Sequence, residues 1–139
     1  MAGRTALSGG ACIVAAAVST TVVTSVRFES AHFLPHVPPE HKCRRMHGHS
    51  YRCEIHVEGP VDPHFGWVID YGDIRVAFEP LRKQLDHHLL NEIPGLDNPT
   101  SEQIVAWIWR ALAPSLPGLA KLVLHETDSS YVIYTGPAI

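Results

Sequence analysis

The chain has 139 residues, 45% of them hydrophobic and 18% charged, with a formal net charge of −3. That suits one globular domain with an ordinary core, and the slightly acidic balance argues against nucleic acid as a partner. The three cysteines (Cys12, Cys43 and Cys53) are odd in number and make no disulfide framework, so a reduced, cytoplasmic setting is expected.

Residues 1–18 read as an N-terminal extension. Arg4 and the apolar run Ala11 to Val18 mimic a short secretory signal. The run passes into a strand-like segment with little spacer, and it is far too short to span a bilayer. The folded domain is expected over residues 19–139, with no membrane partner.

Thr20 to His32 reads as a long strand rich in Val and Thr, with Val22, Val26, Phe28, Ser30 and His32 on one parity. Pro35, Pro38 and Pro39 then open a loop. A second strand, about His49 to Glu58, alternates Tyr51, Cys53, Ile55 and Val57 with Arg52, Glu54, His56 and Glu58. One face is thus buried and one wet, as in an antiparallel sheet. Cys53 falls on the apolar face and is expected in the core. A turn through Gly59-Pro60 leads to a helix over Asp70 to Gln84, with Asp70 as N-cap and Ile74, Phe78, Leu81 and Leu85 as its stripe. A second helix over Ser101 to Ala113 opens on a capping box of Thr100 and Gln103, with Ile104, Trp107, Ile108 and Ala111 as its stripe. Two short strands, about Lys121 to Glu126 and Tyr131 to Tyr134, close the chain. The order ββααββ predicts an α+β domain: a four-stranded antiparallel sheet with two helices on one face.

Most of the ten histidines lie between positions 32 and 88, and the densest stretch is His41-Lys-Cys-Arg-Arg-Met-His-Gly-His49. His47 and His49 share a face on an extended backbone, and Gly48 between them puts no side chain in the way. With His32 they make three imidazoles with an open fourth position, an arrangement typical of catalytic zinc. Cys43 lies among Lys42, Arg44 and Arg45, and neighbouring cations favour the reactive thiolate. It is therefore a candidate base or nucleophile, and equally a candidate fourth ligand of a closed structural site. A solvated basic loop is the bland alternative. Leu85-Asp86-His87-His88 is a second constellation, since a carboxylate beside an imidazole fixes its tautomer; a helix C-terminus favouring His⁺ explains it equally well. Glu126 ends an otherwise apolar strand and by pattern alone is a solvated strand-end residue.

Phe28-Glu-Ser-Ala-His32, Cys43-x3-His47-Gly-His49, Leu85-Asp-His-His88, Pro99-Thr-Ser-Glu102 and Glu126-Thr127 occur in the order seen in the 6-pyruvoyl-tetrahydropterin synthase family. The chain resembles that family from about Thr20 to Gly136. It is most similar to the bacterial branch that makes 6-carboxy-tetrahydropterin in the 7-deazaguanine (queuosine) pathway, whose linkers resemble Leu34-Pro-His-Val-Pro38, Val61-Asp-Pro-His64 and Asn91-Glu-Ile-Pro-Gly-Leu96. The resemblance implies a T-fold over residues 19–139, assembled as a dimer of trimers with active sites between subunits. It implies Zn2+ held by His32, His47 and His49, with Cys43 as base, Asp86 and His87 as a catalytic dyad, and Glu126 as anchor for the pterin ring. His125 stands where the family often has lysine. The implied substrate is 7,8-dihydroneopterin triphosphate, and the implied product 6-carboxy-tetrahydropterin, with loss of acetaldehyde and triphosphate. The pyruvoyl enzymes, which only eliminate triphosphate, usually have a longer gap than the three residues between Cys43 and His47. A third branch places Glu where Met46 stands. A non-enzymatic zinc-binding module with Cys43 as fourth ligand is the alternative of another class.

Overall fold

The computed structural model describes residues 19–138; the extension over residues 1–18 lies outside the described residues. Two long strands dominate it: β1, Thr20–His32, and β2, His47–Gly59. They pair antiparallel from Thr20↔Gly59 to His32↔His47. β2 begins two residues earlier than its alternation suggested, because His47 and Gly48 complete the ladder opposite Ala31 and His32. The helix α1, Tyr71–Leu85, is capped by the Asp70 carboxylate, which accepts from Gly72 N. The helix α2, Ser101–Leu112, is capped by Thr100, which accepts from Gln103 N. The chain ends in β4, Leu119–His125, and β5, Tyr131–Tyr134.

Between the helices runs β3, His88–Leu89, which pairs parallel to β1 at Ser30 and Ala31. The sheet therefore has five strands in the order β3-β1-β2-β4-β5 and is mixed, not the four-stranded antiparallel sheet expected. A two-residue strand is too short to leave a period-2 signature in sequence. It forms because Asp86 caps α1 and pins the chain to β1: Glu29 N donates to Asp86 Oδ1 at 2.8 Å, and His87 N donates to Glu29 O.

Both helices cover one face of the sheet. Phe28 stacks between Tyr51 and Phe78, with ring centroids 5.0 and 6.3 Å away. Around it close Ile74, Leu81 and Leu85 of α1, Ile104, Ile108 and Leu112 of α2, and Cys53, Ile55, Leu122 and Leu124 of the sheet. The buried stripe of α2 is Ile104, Val105, Ile108 and Leu112, so Ala111 is exposed and Trp107 only half-buried. Trp107 is drawn sideways because its indole N–H donates to Pro94 O and its ring lies against Gly95. Pro80 sits within α1. It leaves Val76 O without its helical donor, on a face open to water. Among the described residues no helix is long and apolar enough to cross a membrane.

Candidate metal centre and active site

The β1–β2 register carries the sheet's buried parity past Phe28 and Tyr51 to its end, where it presents His32, His47 and His49 on one face. One ligand nitrogen from each of the three lies within 4.8 Å of the others. His32 is 1% exposed. Its Nδ1 lies 2.9 Å from Pro99 O, and His47 Nδ1 lies 2.7 Å from Arg45 O. A carbonyl oxygen only accepts, so both Nδ1 atoms carry the proton and both Nε2 atoms keep a free lone pair. That is how main-chain carbonyls orient histidines toward an ion. His32 Nε2 and His49 Nε2 are buried and have no hydrogen-bond partner among the described residues. Burial holds His32 below the ordinary imidazole pKa, and His47 and His49 push the same way against the opposing Pro99 carbonyl and Glu126. His49 is lowered too, first by burial. Neutral nitrogens with unmatched lone pairs in a dry site are a donor set that fits a divalent metal.

Gly48 has another role than leaving room between the histidines. It points to the far face, where a Cβ would stand 3.2 Å from Ser30 O.

Cys43 belongs to a 3-10 turn, Lys42–Arg44, whose N-cap His41 accepts from Cys43 N. Leu34 N donates to Cys43 O, and Asn91 clamps both main-chain groups of Phe33. The loop's main chain is thus fastened beside the site, while Lys42, Arg44 and Arg45 stay exposed. Cys43 shares a cavity of about 570 Å³ with His47, His49, Glu126, Lys42 and Arg45. Its sulfur is not among the atoms gathered with the three nitrogens. Arg44 is spent elsewhere, donating to Val37 O at 2.8 Å. Cys53 is fully buried in the core, and burial pushes its thiol up to about 12, with Glu54 adding to the shift.

Glu126 lies on the turn after β4, not within the strand. Its Oε2 is 3.8 Å from His32 Nε2 and 3.7 Å from His49 Nε2, and it accepts from Ser101 Oγ at 3.4 Å. The first turn of α2 thus reaches the site through Ser101. The Pro99-Thr-Ser-Glu102 run carried this signal, which the Thr100 cap explained only as structure. The roles of Pro99 O, Arg45 O and Asn91 could not be read from the motifs, because two act through the main chain and one acts at a distance.

Asp86 and His87 are brought together but not into this cavity. His87 Nδ1 lies 2.9 Å from Asp86 Oδ2, and its side chain is 78% exposed. His87 has φ 60, a left-handed conformation uncommon outside glycine. The Glu29 N–H first, then the His87 ring, hold the Asp86 carboxyl below its ordinary pKa. His87, but not Asp86, borders a second hollow, of about 510 Å³, together with Glu29, Gly48, Ser50 and His49, which lines both hollows. His88 turns back, its Nδ1 2.9 Å from Asp86 O.

Residues 21–137 match the model of the family described as 6-pyruvoyl tetrahydropterin synthase. The chain is 41% identical over 118 residues to the 6-carboxy-5,6,7,8-tetrahydropterin synthase of Synechocystis, covering 81% of this chain and 90% of that protein. It is 39% identical over 77 residues to the dihydroneopterin monophosphate aldolase of Pyrococcus furiosus, covering 55% and 64%. The structure of Caenorhabditis elegans 6-pyruvoyl tetrahydropterin synthase superposes with a TM-score of 0.80 at 23% identity, over 86% of this chain and 97% of that one, which shows a shared fold.

Proposed function

The chain belongs to the 6-pyruvoyl tetrahydropterin synthase family, and on that premise we propose that it is a zinc-dependent carbon–carbon lyase. The reaction is conversion of 7,8-dihydroneopterin triphosphate and one water to 6-carboxy-5,6,7,8-tetrahydropterin, with release of acetaldehyde and triphosphate. The observation that carries the proposal is the convergence of the His32, His47 and His49 nitrogens within 4.8 Å of one another, with His47 and His49 sharing a cavity with the Cys43 thiol. The identity to the Synechocystis enzyme points to the carboxy product.

His32, His47 and His49 would hold the zinc, which when bound would supply Lewis acidity toward the substrate's side-chain hydroxyls. Cys43 removes a carbon-bound proton from one side. Glu126 accepts two N–H bonds from the aminopyrimidinone edge, a bidentate charge-assisted contact. Lys42 and Arg45, which border the cavity, attract the triphosphate. Asp86 holds the Nδ1 proton of His87, so His87 Nε2 can take up or release a proton. That nitrogen serves a neighbouring subunit's site; within one subunit neither Asp86 nor His87 lines the cavity that holds Cys43. The assembly is a dimer of trimers.

Incubation of the pure protein with 7,8-dihydroneopterin triphosphate, with mass identification of the pterin and assay of acetaldehyde, tests this. A pterin that keeps its three-carbon side chain and no acetaldehyde would give the 6-pyruvoyl reading. No turnover by zinc-loaded protein would leave a binding module.

A further inference from the structure

The aminopyrimidinone edge of a pterin and its C6 side chain lie at opposite ends of the fused ring. One substrate cannot give its ring edge to Glu126 and its side chain to an ion beside the same carboxylate oxygen. Yet Glu126 Oε2 stands 3.8 Å from His32 Nε2 and 3.7 Å from His49 Nε2. In a tetrahedral zinc site with bonds of about 2.0–2.1 Å, ligand atoms stand about 3.3–3.4 Å from one another. Oε2 is thus within a few tenths of an ångström of completing an edge with each of two nitrogens that are buried and unpartnered among the described residues, although it is not gathered with all three histidine nitrogens within 4.8 Å, so the carboxylate must turn toward His47 to close the site. Ser101 Oγ donates to that same Oε2, which is how a metal-ligating carboxylate is steadied from outside. The main chain here is fixed, with Glu126 N and Thr127 N both donating to Ser130 O. The Glu126 side chain remains half-buried, with Ser101 Oγ its one side-chain donor among the described residues.

We propose that Glu126 is a displaceable fourth ligand of the His32–His47–His49 metal site. In the substrate-free protein its carboxylate closes the metal's remaining position. When a pterin ring arrives, the carboxylate swings out to the ring's N–H groups and the position opens for the side chain. One residue thereby ties opening of the metal to occupancy of the ring site. Only the displacing ligand rests on the pterin reading; the capping contact does not.

The test uses the full chain, stripped of metal and reloaded. Zinc affinity is measured by competition with a chromophoric chelator, with His47→Ala as the control that the assay reads this site. Glu126→Gln is expected to weaken zinc by about 10–100-fold, the range seen when groups around a metal are altered. Glu126→Asp keeps the charge but shortens the reach, and is expected to weaken zinc as well. Circular dichroism confirms that both variants fold. In Co(II)-loaded protein, the visible bands of Glu126→Gln should differ from wild type at rest. Saturating 7,8-dihydroneopterin should shift the wild-type bands. Wild-type zinc affinity in Glu126→Gln overturns the proposal, and so does wild-type affinity restored in Glu126→Asp, which would reduce Glu126 to a nearby charge. Wild-type bands that do not move with dihydroneopterin overturn the displacement. The affinities and resting spectra need no turnover, so they stand or fall apart from the reaction proposed above.

Discussion

Cys43 and Cys53 are ten positions apart and have opposite fates. Cys53 is sealed in the core with its thiol pushed up to about 12. Cys43 is half-buried beside the histidine cluster. In a Cys12→Ser background, iodoacetamide should label Cys43 and spare Cys53, and peptide mapping would report this. Cys43→Ala should keep stoichiometric zinc and a wild-type melting profile while turnover falls by about 10²–10⁴-fold, the range for losing a general base. Loss of zinc from that variant would make Cys43 a ligand instead. Asp86 gives a pH signature. Its folded-state pKa lies below the ordinary value, so folding favours the ionised carboxylate. That stabilisation is complete above the ordinary carboxylate pKa of about 3.9 and is lost as pH falls through the lower folded value. Asp86→Asn should therefore be less stable than wild type by about 1 kcal/mol at pH 7, the scale of one hydrogen bond screened by solvent. The gap should close as pH falls below that ordinary value. Denaturant melts across pH would show a constant gap if Asp86 were only a polar cap.

At the level of elements, the site depends on where β1 and β2 stop. Their ladder has to run to the His32↔His47 pair for three imidazoles to meet, and its far end is fixed by Gly118. Glu58 N donates to Gly118 O at 2.9 Å, and a Cβ on Gly118 would stand 2.8 Å from Glu58 O and 3.0 Å from Val57 Cγ1. The first of these is main chain and cannot rotate away. Gly118→Ala should cost about 1–3 kcal/mol, as overpacking does, and should lower the urea midpoint without changing the slope. An unchanged midpoint would mean that the entry to β4 yields freely.

For the whole molecule, the sheet leaves work undone. β3 covers only Ser30 and Ala31 of β1, and β5 ends the other side. Open edges of this kind are paired or covered in stable proteins. With His87 exposed and outside the cavity that holds Cys43, closed assembly would complete both the sheet and the site. Light scattering is expected to give a hexamer. A sharper measurement is complementation. Cys43→Ala and Asp86→Asn proteins, each inactive, are unfolded, mixed in equal amounts and refolded. If each site draws Cys43 from one subunit and Asp86 from the next, random assembly restores intact pairs at about a quarter of the sites in a closed ring. Recovery of that order is the expected result, and no recovery would place both residues in one subunit.

The sequence by itself determined the α+β class, both N-caps, the inward parity of β1 and β2, and the identity of the three histidines. These are local facts: period-2 and period-3.6 patterns, capping side chains and residue types at fixed spacing are written in neighbouring positions. The family followed from motif order, which is also linear. Only the tertiary structure decided the rest. A two-residue β3 has no periodicity of its own and exists because Asp86 and His87 bond to the Glu29 main chain. The α2 stripe turned because Trp107 found the Pro94 carbonyl. The tautomers of His32 and His47 are set by carbonyls of Pro99 and Arg45, and backbone atoms look alike at every position in a sequence. Glu126 looked like a solvated strand end until packing of the β4–β5 turn against the start of α2 set it beside two buried nitrogens. Contacts between residues far apart in the chain follow from how packed elements stack, and no local pattern encodes that.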